Sequence, residues 1–321
     1  MMRSRGLLLL LACAWTGCGQ PKRAAGDEGG LRAVAACAPT DLGATLREHP
    51  EATLVIAVDC GIAPTLGAIA AAGRDQSPFL IVVGARPGDG PMPDVCVEAP
   101  TGARAGVDLA LLACQGTQPT NARYELGART WTRANRAAGG ATTAGPADAI
   151  FALLRSQPTS AGARPTAATT VRKVALLASA QPTDAQQGAV EDVRAAASRR
   201  PTLELFEPAS ATAAVERGAG ALLLTTSDPR ETAAAQRAVR DAPDGPAAVI
   251  VLDPLLREDH DTCRIGCPPA AVARAAAAAV RRLLPEGGDV VLCAPSDADE
   301  LTAARIAALA NTLGFDPAKL R

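Results

Sequence analysis

The sequence predicts an α/β fold in which two lobes each carry a parallel sheet covered by helices. Three observations predict it. Short uninterrupted apolar runs alternate with amphipathic segments along the chain, several runs end on a polar residue, and the pattern occurs once in each half. A strand apolar on both faces needs cover on both, which helices on either side of a parallel sheet provide.

Taken in order, LRAVAACAP reads as a strand and TDLGATLREH as the helix after it. ATLVIAVD is a buried strand, GIAPTLGAIAAAG a helix and PFLIVVGARP another buried strand. A Gly/Pro loop then leads to the strand DVCVEAP and the helix TGARAGVDLALLAC. Residues 118–170 lose the rhythm. NARYELGARTWTRANRAAGG mixes arginines with aromatics, DAIFALLRS suits a short helix, and SQPTSAGARPTAATT is a connector without periodicity. The segment is expected to be a linker. From 171 the grammar returns: strand VRKVALLAS, then a helix started by Pro182-Thr183-Asp184, strand TLELFEP and the short helix SATAAVERG. GALLLTTSD and PAAVIVLD are buried strands on either side of the helix PRETAAAQRAVRDA. After a loop, PPAAVARAAAAAVRRLL is a helix, and DVVLCAP with SDADELTAARIAALANTLGF closes the chain as strand and helix. Polar residues end the strands at Asp59, Arg86, Ser227, Asp228 and Asp253, the edge where parallel sheets bind ligands.

With 321 residues, 48% of them hydrophobic, the chain can bury one large or two medium cores. A formal net charge of -1 and 2% aromatics give no basis for binding nucleic acid. Only His49 and His260 offer imidazole, and no His/Cys/Asp group has zinc spacing, so neither metal nor cofactor is expected. Catalysis is not expected either. The chain has no GxSxG elbow, and GARPGDG lacks the Lys-Ser/Thr of a phosphate loop. Asp297 and Asp299 read as an acidic helix start. Of nine cysteines, seven lie in the body, mostly inside apolar patterns that suit small buried thiols. Cys263 and Cys267 allow a local disulfide as the alternative.

MMRSRGLLLLLACAWTGCG has a basic start, a short apolar run and small residues before a cysteine, as a secretory signal does. Thr16-Gly17-Cys18 resembles a bacterial lipoprotein cleavage box, although Trp15 departs from the usual residue. Leu10-Leu11-Ala12-Cys13 is the alternative. The resemblance implies lipidation at Cys18, a signal over 1–18, a flexible tether over 19–30, and anchoring in a bacterial envelope facing the periplasm.

GAGALLLTTSDPRETAAAQRAVRDAPDGPAAVIVLD resembles the amino-terminal lobe of the periplasmic sugar-binding proteins of ABC transporters, of the ribose-binding type. DVVLCAPSDADELTAARIAALANTLGF resembles the start of that family's carboxy-terminal lobe, and LRAVAAC through IVVGARPGDG resembles its continuation. The resemblance implies two Rossmann-like lobes of the type I periplasmic-binding kind in circularly permuted order. Residues 171–287 would form one lobe, and 31–117 with 288–321 the other. The alternative is a tandem pair, in which 288–321 would join the 171–287 lobe.

The matched positions imply ligand contacts at Asp59, Gln181, Asp253 and Arg305. Paired acceptors and donors of these types suit a polyol. Arg86 stands where the family has an aspartate, which favours an anionic solute over a neutral sugar. The family's flanking aromatics are absent from SAQPTDAQQ. The expected function is capture of a small polar solute between two closing lobes, handed to an ABC permease. The alternative is a scaffold of the same fold that has lost its ligand.

Overall fold

The computed structural model describes residues 30–88, 90–116, 123–142, 171–179, 182–226, 228–242, 248–257 and 262–315. They form two compact units. One contains residues 30–99, 128–142 and 269–315, the other 100–127 and 171–268.

The first unit holds a seven-stranded sheet. Its strands are β1 (Leu31–Cys37), β2 (Ala52–Val58), β3 (Phe79–Val83), β4 (Val95–Glu98), β6 (Arg129–Trp131), β7 (Ala141–Thr142) and β13 (Gly288–Cys293). The order is β1-β13-β2-β3-β4-β6-β7, parallel through β4 and antiparallel beyond it. The late strand β13 therefore lies between β1 and β2, with Val291 opposite both Ala35 and Val55. Helices α1 (Leu42–Glu48) and α2 (Ile62–Ala71) send Leu42, Leu46 and Ile69 onto Ala35, Val55, Ala57, Leu80, Val82 and Val291. The alternate residues Leu54, Ile56, Ile81 and Val83 are buried as well, because successive side chains leave a strand on opposite faces. Two further helices, α7 (Pro269–Leu283) and α8 (Glu300–Leu313), pack on each other and on β2, β3 and β4. Asp299 caps α8, its Oδ1 accepting from Thr302 N at 2.8 Å.

The second unit holds six parallel strands: β5 (Arg123–Glu125), β8 (Arg172–Leu177), β9 (Leu203–Phe206), β10 (Ala221–Leu224), β11 (Val249–Leu252) and β12 (Cys263–Gly266). Their order is β5-β12-β11-β10-β8-β9. One face packs Ala175, Leu222, Leu224 and Val251 under α5 (Ala211–Glu216) and α6 (Pro229–Asp241), through Ala214 and Ala235. The opposite face meets α3 (Ala103–Cys114), itself packed on α4 (Asp184–Ala197). Gly106 makes that close approach possible, since a Cβ there would stand 2.9 Å from both Leu223 Cδ1 and Leu252 Cδ2. Helix α4 opens on a capping box in which Thr183 and Gln186 satisfy each other's backbone amides.

The α/β architecture with two mostly parallel sheets agrees with the sequence reading. The unit boundaries differ from it in three places. Helix α3, expected with the 31–117 lobe, packs in the second unit, and α7, expected with the 171–287 lobe, packs in the first. An amphipathic pattern fixes which face of a helix is apolar, but not which sheet covers that face. Third, the expected linker contains β5, β6 and β7, short strands added to sheet margins. DAIFALLRS, Ser227 and the leader with Cys13 and Cys18 lie outside the described residues.

All seven described cysteines are free. Cys263 opens β12 and Cys267 follows its last residue, so the two are separated by about 13 Å of extended chain and cannot meet across a turn.

Candidate functional site

In the first unit, β1, β13, β2, β3 and β4 run in one direction and share a carboxyl edge. The ladder continues one residue past β2 and β3. Asp59 N donates to Val83 O at 2.8 Å, and Gly84 N donates to Val97 O at 2.8 Å. These bonds hold Asp59 and Gly84 side by side at the edge. Asp59 leaves its strand with φ 53, a left-handed conformation that few residues other than glycine, asparagine and aspartate adopt readily. Gly84 has φ 90, and a Cβ on it would overlap Asp59 Oδ1 and press on Arg305 Nη1. Both the conformation and the missing side chain are needed for what sits there.

Arg305 reaches that place from α8. Its Nη1 pairs with Asp59 Oδ1, with side-chain exposures of 8% for the arginine and 18% for the aspartate. Asp59 Oδ2 is buried and has no hydrogen-bond partner. A buried carboxylate oxygen left without a donor costs on the order of 1–3 kcal/mol, so a ligand N–H or O–H arriving there would recover it. The arginine supplies the complementary property, a fixed positive charge with several N–H donors.

Arg86 lies on the next strand end, after β3. Its side chain is 61% exposed, and Nε is 3.9 Å from Glu98 Oε1. Glu98, at the end of β4, also accepts from Trp131 Nε1 at 2.8 Å and lies 3.7 Å from Arg129 Nη1. Arg129 and Trp131 are two apart on β6, so both project to one face, and the guanidinium sits 5.7 Å from the ring centroid. Arg86 is thus a solvated charge beside a shared carboxylate. Glu98 is absent from the residues expected at the site, though DVCVEAP places it at a strand end. Its neighbours Arg129 and Trp131 fall in the segment expected to be a linker.

Below this edge, Cys96 donates its thiol to Ala85 O at 2.9 Å. Burial, reinforced by the Glu98 charge, pushes the Cys96 thiol up to about 12. It is an apolar filler at neutral pH.

Asp253 occupies the corresponding edge of the second unit and has a different environment. It is fully buried, and its Oδ2 accepts from Arg264 Nη1 at 2.8 Å and from Arg257 N at 2.9 Å. Oδ1 accepts from Leu255 N at 3.0 Å. The carboxylate therefore ties the loop after β11 to β12, with donors drawn from its own unit. Gly266 lets β12 pass this turn, since a Cβ there would overlap Asp253 O. Of the residues matched in sequence, Asp59 and Arg305 are brought into contact, Arg86 stands near them on the same edge, and Asp253 is engaged internally. Gln181 lies outside the described residues.

Among the described residues, no group of three His, Cys, Asp or Glu side chains is arranged to hold a metal ion, and no helix is long and apolar enough to cross a membrane. No protein-family model matches the chain, and no curated protein matches it in sequence.

Proposed function

We propose that the chain is an exported, lipid-anchored solute-binding protein of the type I periplasmic kind, holding a small polar, anionic or sugar-like solute for an ABC-type permease. The observation that carries this reading is the Asp59–Arg305 pair at the sheet edge, with one carboxylate oxygen buried and unfilled. A solute bearing a hydroxyl and an acidic group would give a donor to Asp59 Oδ2 and an acceptor to Arg305, and Arg86 adds positive potential nearby. Asp253 then acts as a positioning residue that fixes the loop after β11. Gln181 is carried as a further contact, and Cys18 as the lipid attachment.

The strand orders support the permuted reading of the fold. Counting β8 first, the second unit runs 2-1-3-4-5 in space, with β5 added at its margin. The first unit gives the same order over its parallel strands when β13 is counted first and β1 second. The tandem alternative would put β13 with β8–β12 instead.

Thermal denaturation and calorimetry against sugars, sugar phosphates and dicarboxylates test the function. A sugar phosphate or hydroxy acid present at a hundredfold excess over its Kd is expected to stabilise the protein by about 2.7 kcal/mol. Arg305→Leu is expected to abolish that gain. Silence across the panel favours the second reading, a non-catalytic interaction scaffold, for which the internal engagement of Asp253 already speaks.

A further inference from the structure

Three adjacent strands of the first unit deliver a thiol to one place. Cys37 ends β1, Cys293 ends β13 directly opposite it in register, and Cys60 follows β2 by two residues. All three are buried, with exposures of 5%, 0% and 4%. Cys60 Sγ lies 3.8 Å from Cys293 Sγ, 3.6 Å from Cys293 O and 3.4 Å from Val58 O. A thiol that merely fills space needs no sulfur neighbour, whereas here Cys293 faces two. A hydrogen bond shared with Cys293 draws the Cys37 thiol below its ordinary range, and the bonds to Cys37 and Cys60 hold the proton on Cys293.

We propose that Cys60 and Cys293 are a site of reversible disulfide formation whose oxidant is a small-molecule disulfide. The sulfurs stand in van der Waals contact, and a bond of about 2.05 Å requires them to approach by roughly 1.8 Å. The turn before α2 must open to admit the oxidant, and Cys60, outside the strand in that turn and 4% exposed against 0% for Cys293, is the residue that meets it first. Its thiolate attacks one sulfur of the oxidant, breaks the S–S bond and expels one thiolate. The Cys293 sulfur then attacks the Cys60 sulfur of the mixed disulfide and displaces the second thiolate, which takes the Cys293 proton as it leaves. Two protein thiols are oxidised, one disulfide is reduced, and the two protons finish on the two released thiols. Since Cys60 follows Asp59 directly, the link ties the turn carrying Asp59 to β13. The site gives the edge a covalent control that is independent of which solute, if any, binds there.

The test is thiol mapping of the folded full-length protein after incubation with glutathione disulfide. The expected result is loss of two alkylatable thiols, release of two glutathione molecules per chain, and a linked peptide pair containing Cys60 and Cys293. Cys60→Ser is expected to remove the link, and Cys37→Ser to retain it. An unchanged thiol count, a lasting glutathione adduct, or a link through Cys37 or any other cysteine would overturn the proposal. The wild-type result stands even if a variant fails to fold. Because no solute is added, a negative outcome leaves the solute-binding reading to its own test.

Discussion

At the scale of single residues, two strand-end aspartates that look alike in sequence have opposite settings. Asp59 shares one oxygen with Arg305 and leaves the other unmet, whereas Asp253 spends both oxygens on Arg264, Leu255 N and Arg257 N. Charge removal should separate them. Asp253→Ala removes a buried carboxylate partner from the buried Arg264 guanidinium and takes the acceptor from two loop amides, so a loss of about 3–5 kcal/mol is expected by urea denaturation. The double variant Asp253→Ala/Arg264→Met should recover only part of that loss, because the two amides still lack Asp253. Full recovery would mean the carboxylate served the arginine alone. The sequence showed that Asp253 stands at a strand end. It hides the partner, because CRIG has no apolar run and reads as part of a loop, which gives no reason to expect its arginine on a neighbouring strand.

At the scale of elements, what was legible depended on how each segment buries its apolar surface. ATLVIAV, FLIVV, ALLL and VIVL were recognisable as strands because a central parallel strand is apolar throughout. RYE and RTW carry no such run, since marginal strands are short and partly solvated, and they were lost in the arginine-rich segment. Helices were visible as elements but not in their allegiance, as α3 and α7 demonstrate. Gly106 is the mark of that allegiance on α3, where backbone contact with Leu223 and Leu252 replaces a side chain. Gly106→Leu should overpack this helix–sheet contact by more than the flexible leucine tips can absorb. A loss of about 1–3 kcal/mol is expected at Gly106, whereas the same change at Gly188 on α4, whose Cβ would meet open space, should be neutral or stabilising because leucine favours a helix over glycine. A gain at both sites would show that α3 does not pack as described and that only helix propensity was being measured.

At the scale of the molecule, the placement of β13 controls the reading. A sheet in which β13 lies between β1 and β2 draws on a late stretch of the sequence, so the first unit needs residues from both its early and its late segments. If the order is a permuted one, α8 is the crossover that would once have led from β13 into its parallel neighbour β1. In that case the connection between α7 and β13 is dispensable, while a connection from α8 to β1 should be accepted. A rearranged protein beginning at Glu286, running through Phe315, joined by a short Gly-Ser linker to Gly30 and ending at Pro285 tests this directly. The new ends fall in the turn closed by Gly287 N and Leu284 O at 3.1 Å, outside every strand and helix. Changing a loop's length costs only about 0.6 kcal/mol per doubling, so the rearranged chain should unfold cooperatively with stability within about 2 kcal/mol of the parent. Should it collect as an unfolded or aggregated chain, β13 and β1 would not be successive strands of one ancestral lobe. The shared 2-1-3-4-5 order would then be a coincidence of two separately built sheets.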